Sequence, residues 1–75
     1  MNKERRKQLR QLISKIENLK DELENILSDE QDYYDNIPEN LQSAPRATDS
    51  EEAIEHMEEA IDIIDEVIEA VDNII

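Results

Sequence analysis

The chain has 75 residues with no Cys and no Gly, and its 21 Asp and Glu against 8 Lys and Arg give a formal net charge of -13. That length allows one domain with a small core. The lack of Cys excludes disulfides, and a lone His56 leaves no ligand set for a structural zinc. Extra core is therefore expected from oligomerisation. The apolar residues are chiefly Leu and Ile set among Glu, Asp, Lys and Gln, which favours helix throughout and argues against strands.

The basic opening Lys3, Arg5, Arg6, Lys7 leads into a stretch, Leu9 to Ile16, that Arg10, Gln11, Ser14 and Lys15 interrupt, so neither a signal peptide nor a membrane span is expected. A cytoplasmic protein is the expectation. From Leu9 the apolar positions Leu12, Ile16, Leu19, Leu23 and Ile26 alternate spacings of three and four, and the phase runs on through Glu30 to Tyr33 and Ile37. This predicts one amphipathic helix over 3–35, with Ile13, Leu27 and Tyr34 beside the seam widening its apolar stripe.

Pro38 biases Ile37 away from helix, and residues 36–48, which hold Pro38 and Pro45, read as the connection. Pro38 to Leu41 suits a single helical turn, with Leu41 tucked against the hairpin end. Thr48-Asp49-Ser50-Glu51 reads as a capping box opening a second helix over 49–75, with Ser50 a rival cap. Its heptads place Ile54, Ile61, Ile68 and Ile75 at a, Met57, Ile64 and Val71 at d, and Ala53, Ala60, Val67 and Ile74 at g. Ile63, at an otherwise polar c position, is either a rim contact or a tolerated exposed residue.

The expected fold is all-α, a two-helix antiparallel hairpin that pairs with a second copy as a four-helix bundle. Its oligomer core would comprise Leu12, Ile16, Leu19, Leu23, Ile26, Ile54, Ile61, Ile64, Ile68 and Val71.

Charge is sharply segregated. Residues 1–20 carry seven cations against Glu4 and Glu17, while the remaining 55 carry 19 carboxylates against Arg46. An antiparallel hairpin would set the basic first turns beside Glu66, Glu69 and Asp72, accounting for part of this order. It leaves Glu55, Glu59, Asp62, Glu66 and Glu69 without a cation in their own helix, each turn adding a carboxylate about 5 Å further along. Such a row is either a solvated face or, since it approximates an anionic strand, a surface for a basic cleft. Direct nucleic-acid binding is disfavoured, because only Lys3 to Arg10 could support it beside a repelling surface.

Chemistry-bearing constellations are sparse. His56 has Glu52 and Glu59 one turn away but no second His, so exposure beside carboxylates is the better reading than metal binding. Asp29, Glu30, Asp32 and Asp35 lack the glycine and spacing of a calcium loop, and no serine has a histidine placed to activate it. No enzyme, cofactor or metal is expected. Tyr33 and Tyr34 either close the bundle end or anchor a partner at the hairpin tip.

The segment Asp29-Glu-Gln-Asp-Tyr-Tyr-Asp-Asn-Ile-Pro-Glu-Asn-Leu-Gln, followed by an Arg and an acidic Ala/Ile heptad helix, resembles short uncharacterised acidic helical-hairpin proteins of bacteriophages and Gram-positive mobile elements. The resemblance implies a phage-type inhibitor of a nucleic-acid-processing or defence protein, acting in the host cytoplasm. The alternative is a structural or assembly adaptor that docks through apolar hairpin surfaces.

Overall fold

Asn2 starts the first helix: its side-chain oxygen accepts the Arg5 amide at 2.8 Å, satisfying one of the donors a helix N-terminus leaves open. In the computed structural model, which describes residues 1–75, helix α1 then runs Lys3–Asp35. It stops where Pro38 requires. Asn36 closes it with both its backbone N–H and its side-chain amide donating to the Asp32 carbonyl, at 3.1 and 2.7 Å.

The chain reverses without glycine and without any positive φ. It does so through one 3-10 turn, Glu39–Leu41, in which the Leu41 amide donates to the Pro38 carbonyl at 2.8 Å. Leu41 does not tuck under the tip as expected; it is exposed, and Ile37 is the buried residue there.

Helix α2 spans Pro45–Asp72, so it begins four residues before the expected start and the capping box does not form. Pro45 occupies the first turn, where its fixed φ suits the helix and its missing N–H costs nothing. Thr48 consequently lies inside the helix, its hydroxyl donating back to the Ala44 carbonyl at 3.4 Å. Ser50 is no cap either, for its hydroxyl donates to Glu30 of α1 at 2.6 Å. The added turn lengthens the seam, because Ala47 is fully buried and Ser50 nearly so. At the other end the helix closes at Asp72, before the expected 75, with the Asn73 amide bonded to Glu69.

The two helices pack antiparallel into a rod whose Cα trace measures 59 × 15 × 12 Å. Three cross-helix contacts fix the register: Tyr34–Glu51, Glu30–Ser50 and Lys20–Asp65. On α2 the seam is the expected one, with Ile54, Met57, Ile61, Ile64, Ile68 and Val71 half-buried.

On α1 the seam is rotated by one column. Leu9, Ile16, Leu23, Glu30 and Ile37 belong to it, but they alternate with Ile13, Lys20, Leu27 and Tyr34. The expected alternates stay outside: Leu12 is 45%, Leu19 59%, Ile26 57% and Tyr33 47% exposed, against 8% for Ile13. The stripe of α1 is three columns wide and one partner helix covers only two. The covered side is the one on which Lys20 and Tyr34 find the carboxylates of Asp65 and Glu51.

Candidate interaction surfaces

The seam divides the rod into two unlike sides. With Ile13 at heptad position a on α1 and Ile54 at a on α2, Lys20 reaches Glu24 at 3.6 Å and Asp65 at 2.6 Å. Both carboxylates occupy e positions, and so does Glu51, which accepts the Tyr34 hydroxyl at 2.7 Å. The e columns of the two helices therefore share one side, lined by Lys3, Arg10, Glu17, Glu24 and Gln31 from α1 and by Glu51, Glu58, Asp65 and Asp72 from α2.

The g columns share the other side. There α1 contributes Leu12, Leu19, Ile26 and Tyr33, while α2 contributes Ala53, Ala60, Val67 and Ile74 with Ile63 alongside. From Ala53 to Ile74 the g and c positions of α2 contain no carboxylate, in a helix that is otherwise densely acidic. Val67, Ile74 and Ile63 are exposed. Scattered apolar residues are ordinary on a surface, whereas a column repeated on two neighbouring helices is a patch of the kind that marks an interaction site.

The expected oligomer-core residues thus fall into two groups. Ile16, Leu23, Ile54, Ile61, Ile64, Ile68 and Val71 lie in the seam within one chain, while Leu12, Leu19 and Ile26 stand outside it. Tyr33 and Tyr34 are separated likewise, Tyr33 outward on the apolar side and Tyr34 half-buried in the seam.

The carboxylates of Glu55, Glu59, Asp62, Glu66 and Glu69 sit at b and f positions on the outer face of α2, and all are exposed. Lys20 makes the two ion pairs between Lys or Arg and a carboxylate, and His56 Nδ1 lies 3.9 Å from a Glu59 carboxylate oxygen. The expected pairing of the basic first turns with Glu66, Glu69 and Asp72 is absent. Lys3, Arg5, Arg6, Lys7, Arg10 and Lys15 make no ion pair.

The seam contacts perturb two groups. The hydrogen bond to Asp65, reinforced by the fields of Asp65 and Glu24, holds the Lys20 ammonium above its usual 10.5 despite some desolvation. Tyr34 is held above its usual 10.0 because its hydrogen bond to Glu51 requires the phenol proton, with desolvation and the charges of Glu51 and Asp35 acting in the same sense.

A shallow groove of about 480 Å³ near the start of α1 is lined by Met1, Arg5, Gln8, Leu9, Gln11, Leu12 and Lys15. It offers cations and apolar surface but no acid–base pair. No three His, Asp or Glu side chains converge as metal ligands, and no helix is long and apolar enough to cross a membrane.

Lys20 is the residue that sequence reasoning passes over, whereas Glu30 stands out in the sequence as a carboxylate at a core position able to specify register. Each interrupts an otherwise apolar column, Ile13-Lys20-Leu27-Tyr34 and Leu23-Glu30-Ile37, and each meets a polar partner across the seam. Comparison with protein-family models, curated proteins and solved structures finds no match.

Proposed function

We propose that this protein is a non-enzymatic protein-binding module. It associates with a second copy through its apolar side as a four-helix bundle, and presents the carboxylates of α2 to the basic groove of a nucleic-acid-processing or defence protein. The mechanism is occlusion: a rigid anionic rod occupies a site that phosphate would otherwise fill.

The observation carrying this reading is the separation of surfaces. Apolar side chains are collected on one side, and Glu55, Asp62, Glu66 and Glu69 point outward without a cation of their own. Ordinary surface helices interleave Lys with Glu and neutralise themselves. The resemblance of residues 29–42 to phage hairpin proteins supplies the setting, a phage-type inhibitor in a host cytoplasm.

The test is retention of proteins from a bacterial lysate on the immobilised chain, with elution by salt and competition by duplex DNA. A retained DNA- or RNA-handling protein should elute as salt rises and be displaced by DNA. Reversing Glu55, Glu59, Asp62, Glu66 and Glu69 to Lys should abolish retention while circular dichroism shows unchanged helicity. Binding that survives the reversal would sink the occlusion mechanism. Salt-resistant retention lost on Leu19→Ser would instead support an assembly adaptor, a reading favoured by the exposed column Leu12, Leu19, Ile26 and Tyr33.

A further inference from the structure

We infer that the second copy lies crossed, antiparallel over the apolar side with α1 on α1 and α2 on α2, so that the basic open end of each hairpin covers the acidic closed end of the other. This rests on the self-association proposed above and adds its orientation and its contacts.

The exposed area first argues for a second copy. The chain exposes 5725 Å² at a mass of 8.8 kDa. A compact monomer of that mass would expose about 4,800 Å². The excess, roughly 900 Å², is close to the ~800 Å² that each partner contributes to a standard interface.

Two twofold arrangements bring the apolar side against itself. With the axis along the rod, α1 lies on the partner's α2, and like ends meet. With the axis across the rod, each end meets the opposite end. Charge decides between them. At the open end, residues 1–15 carry six cations and Glu4, and residues 66–75 carry three carboxylates; the closed end, residues 29–52, carries eight carboxylates and Arg46. The rod is 59 Å long, many times the ~8 Å screening length at physiological salt, so the two ends of one copy cannot neutralise each other. Like-on-like stacking would crowd all the closed-end carboxylates together. Crossing sets each acidic end beside cations that have no ion-pair partner within their own chain.

Side-chain size agrees with the crossed arrangement. The exposed column of α1 is centred between Leu19 and Ile26, and in the register of the hairpin that level falls between Ala60 and Ile63 of α2. Crossing about this centre sets Leu19 against the partner's Ile26, Ile63 against the partner's Ala60, and Lys15 beside the partner's Asp29.

The absence of Cys makes the test direct. Glu22 is exposed at the rim of the apolar side. In the crossed dimer the two copies of position 22 flank the axis with Cβ atoms about 4–5 Å apart, within disulfide reach; in the other arrangement they are roughly 16 Å apart and each faces position 63 of the partner. The experiment combines sedimentation equilibrium on the unmodified chain, oxidation of Glu22→Cys alone, and oxidation of an equal mixture of Glu22→Cys and Ile63→Cys. Circular dichroism confirms that both variants keep the parent helicity. The expected result is a dimer in which Glu22→Cys alone converts mostly to a covalent dimer. A dimer that crosslinks only in the mixture, or in neither case, overturns the crossed orientation and leaves self-association standing. A monomeric parent chain overturns self-association, and the orientation with it.

Discussion

Lys20 Nζ lies 2.6 Å from Asp65 Oδ1 across the seam. This lysine fills a seam position in line with Ile13, Leu27 and Tyr34, while the neighbouring Leu19 is left 59% exposed. The chain therefore covers its poorer column and leaves the better one outside. An isolated two-helix rod optimised for its own stability would turn the other way.

Replacement of Lys20 by Met tests that interpretation. A partly exposed ion pair contributes little, and an unbranched apolar side chain of similar length fills the same position. The melting temperature of Lys20→Met, followed by circular dichroism, should equal or exceed that of the parent. A marked fall would mean that the pair with Asp65 contributes more stability than an apolar side chain packed at the same position, contradicting that interpretation.

Ile13 and Leu19 should behave oppositely on truncation. Ile13 is 8% exposed and is the only large α1 side chain buried in the seam; Ile13→Ala should cost about 2 kcal/mol or more, enough to melt much of so small a fold. Leu19→Ala should leave the helicity of a dilute sample nearly unchanged but raise the concentration needed for association. Thermal melts over a range of protein concentrations separate the two effects. Equal behaviour of the variants would contradict the placement of the seam.

Ser50→Ala should destabilise the hairpin by about 1 kcal/mol, since it removes the only hydrogen bond made to the half-buried Glu30 carboxylate. Urea denaturation measures this. In a Glu30→Gln background the same substitution should cost less, because a neutral acceptor forms the weaker bond.

Alkaline pH should loosen the hairpin. Lys20 and Tyr34 are held above their usual 10.5 and 10.0 by hydrogen bonds to carboxylates. A group whose value is raised by folding contributes stability that is fully present below its unfolded value and lost as pH rises through its folded value. Stability should thus decline above about pH 10, and in Tyr34→Phe that decline should be shallower. In a Tyr33→Phe background, tyrosinate absorbance should place the Tyr34 midpoint above 10.0 while the chain stays folded.

Much of this architecture was legible in the residues. The three–four spacing of the Leu and Ile residues announces both helices, Pro38 announces the end of α1, and the Ile54, Ile61 and Ile68 repeat places the seam of α2 correctly. The start of α2 differs from the sequence expectation because Thr48 and Ser50 suit a cap chemically, yet proline in a first turn is an equally good opening and it adds Ala47 to the seam. The rotation of α1 could not be read from periodicity, since a stripe three columns wide fits two phases equally. Cross-helix polar contacts from Lys20, Glu30 and Tyr34 chose between them. The outward carboxylates were evident from the heptad positions; the missing cation partners at the open end were not, because a heptad position shows which carboxylates an exposed Lys or Arg can reach and not whether it is held there.

Pro38 in the connection and Pro45 in the first turn of α2 also bear on whether copies could exchange parts. A helical hairpin with a permissive loop can straighten into one continuous helix and trade halves with a neighbour, the usual path to domain-swapped dimers and runaway assembly. Here a straightened chain would have to carry Pro38 and Pro45 through helix interior, losing two hydrogen bonds and setting each ring against the carbonyl four residues earlier, at roughly 3 kcal/mol apiece. The reversal at residues 36–44 therefore works against straightening into one continuous helix, and under the self-association proposed above copies would meet as completed hairpins.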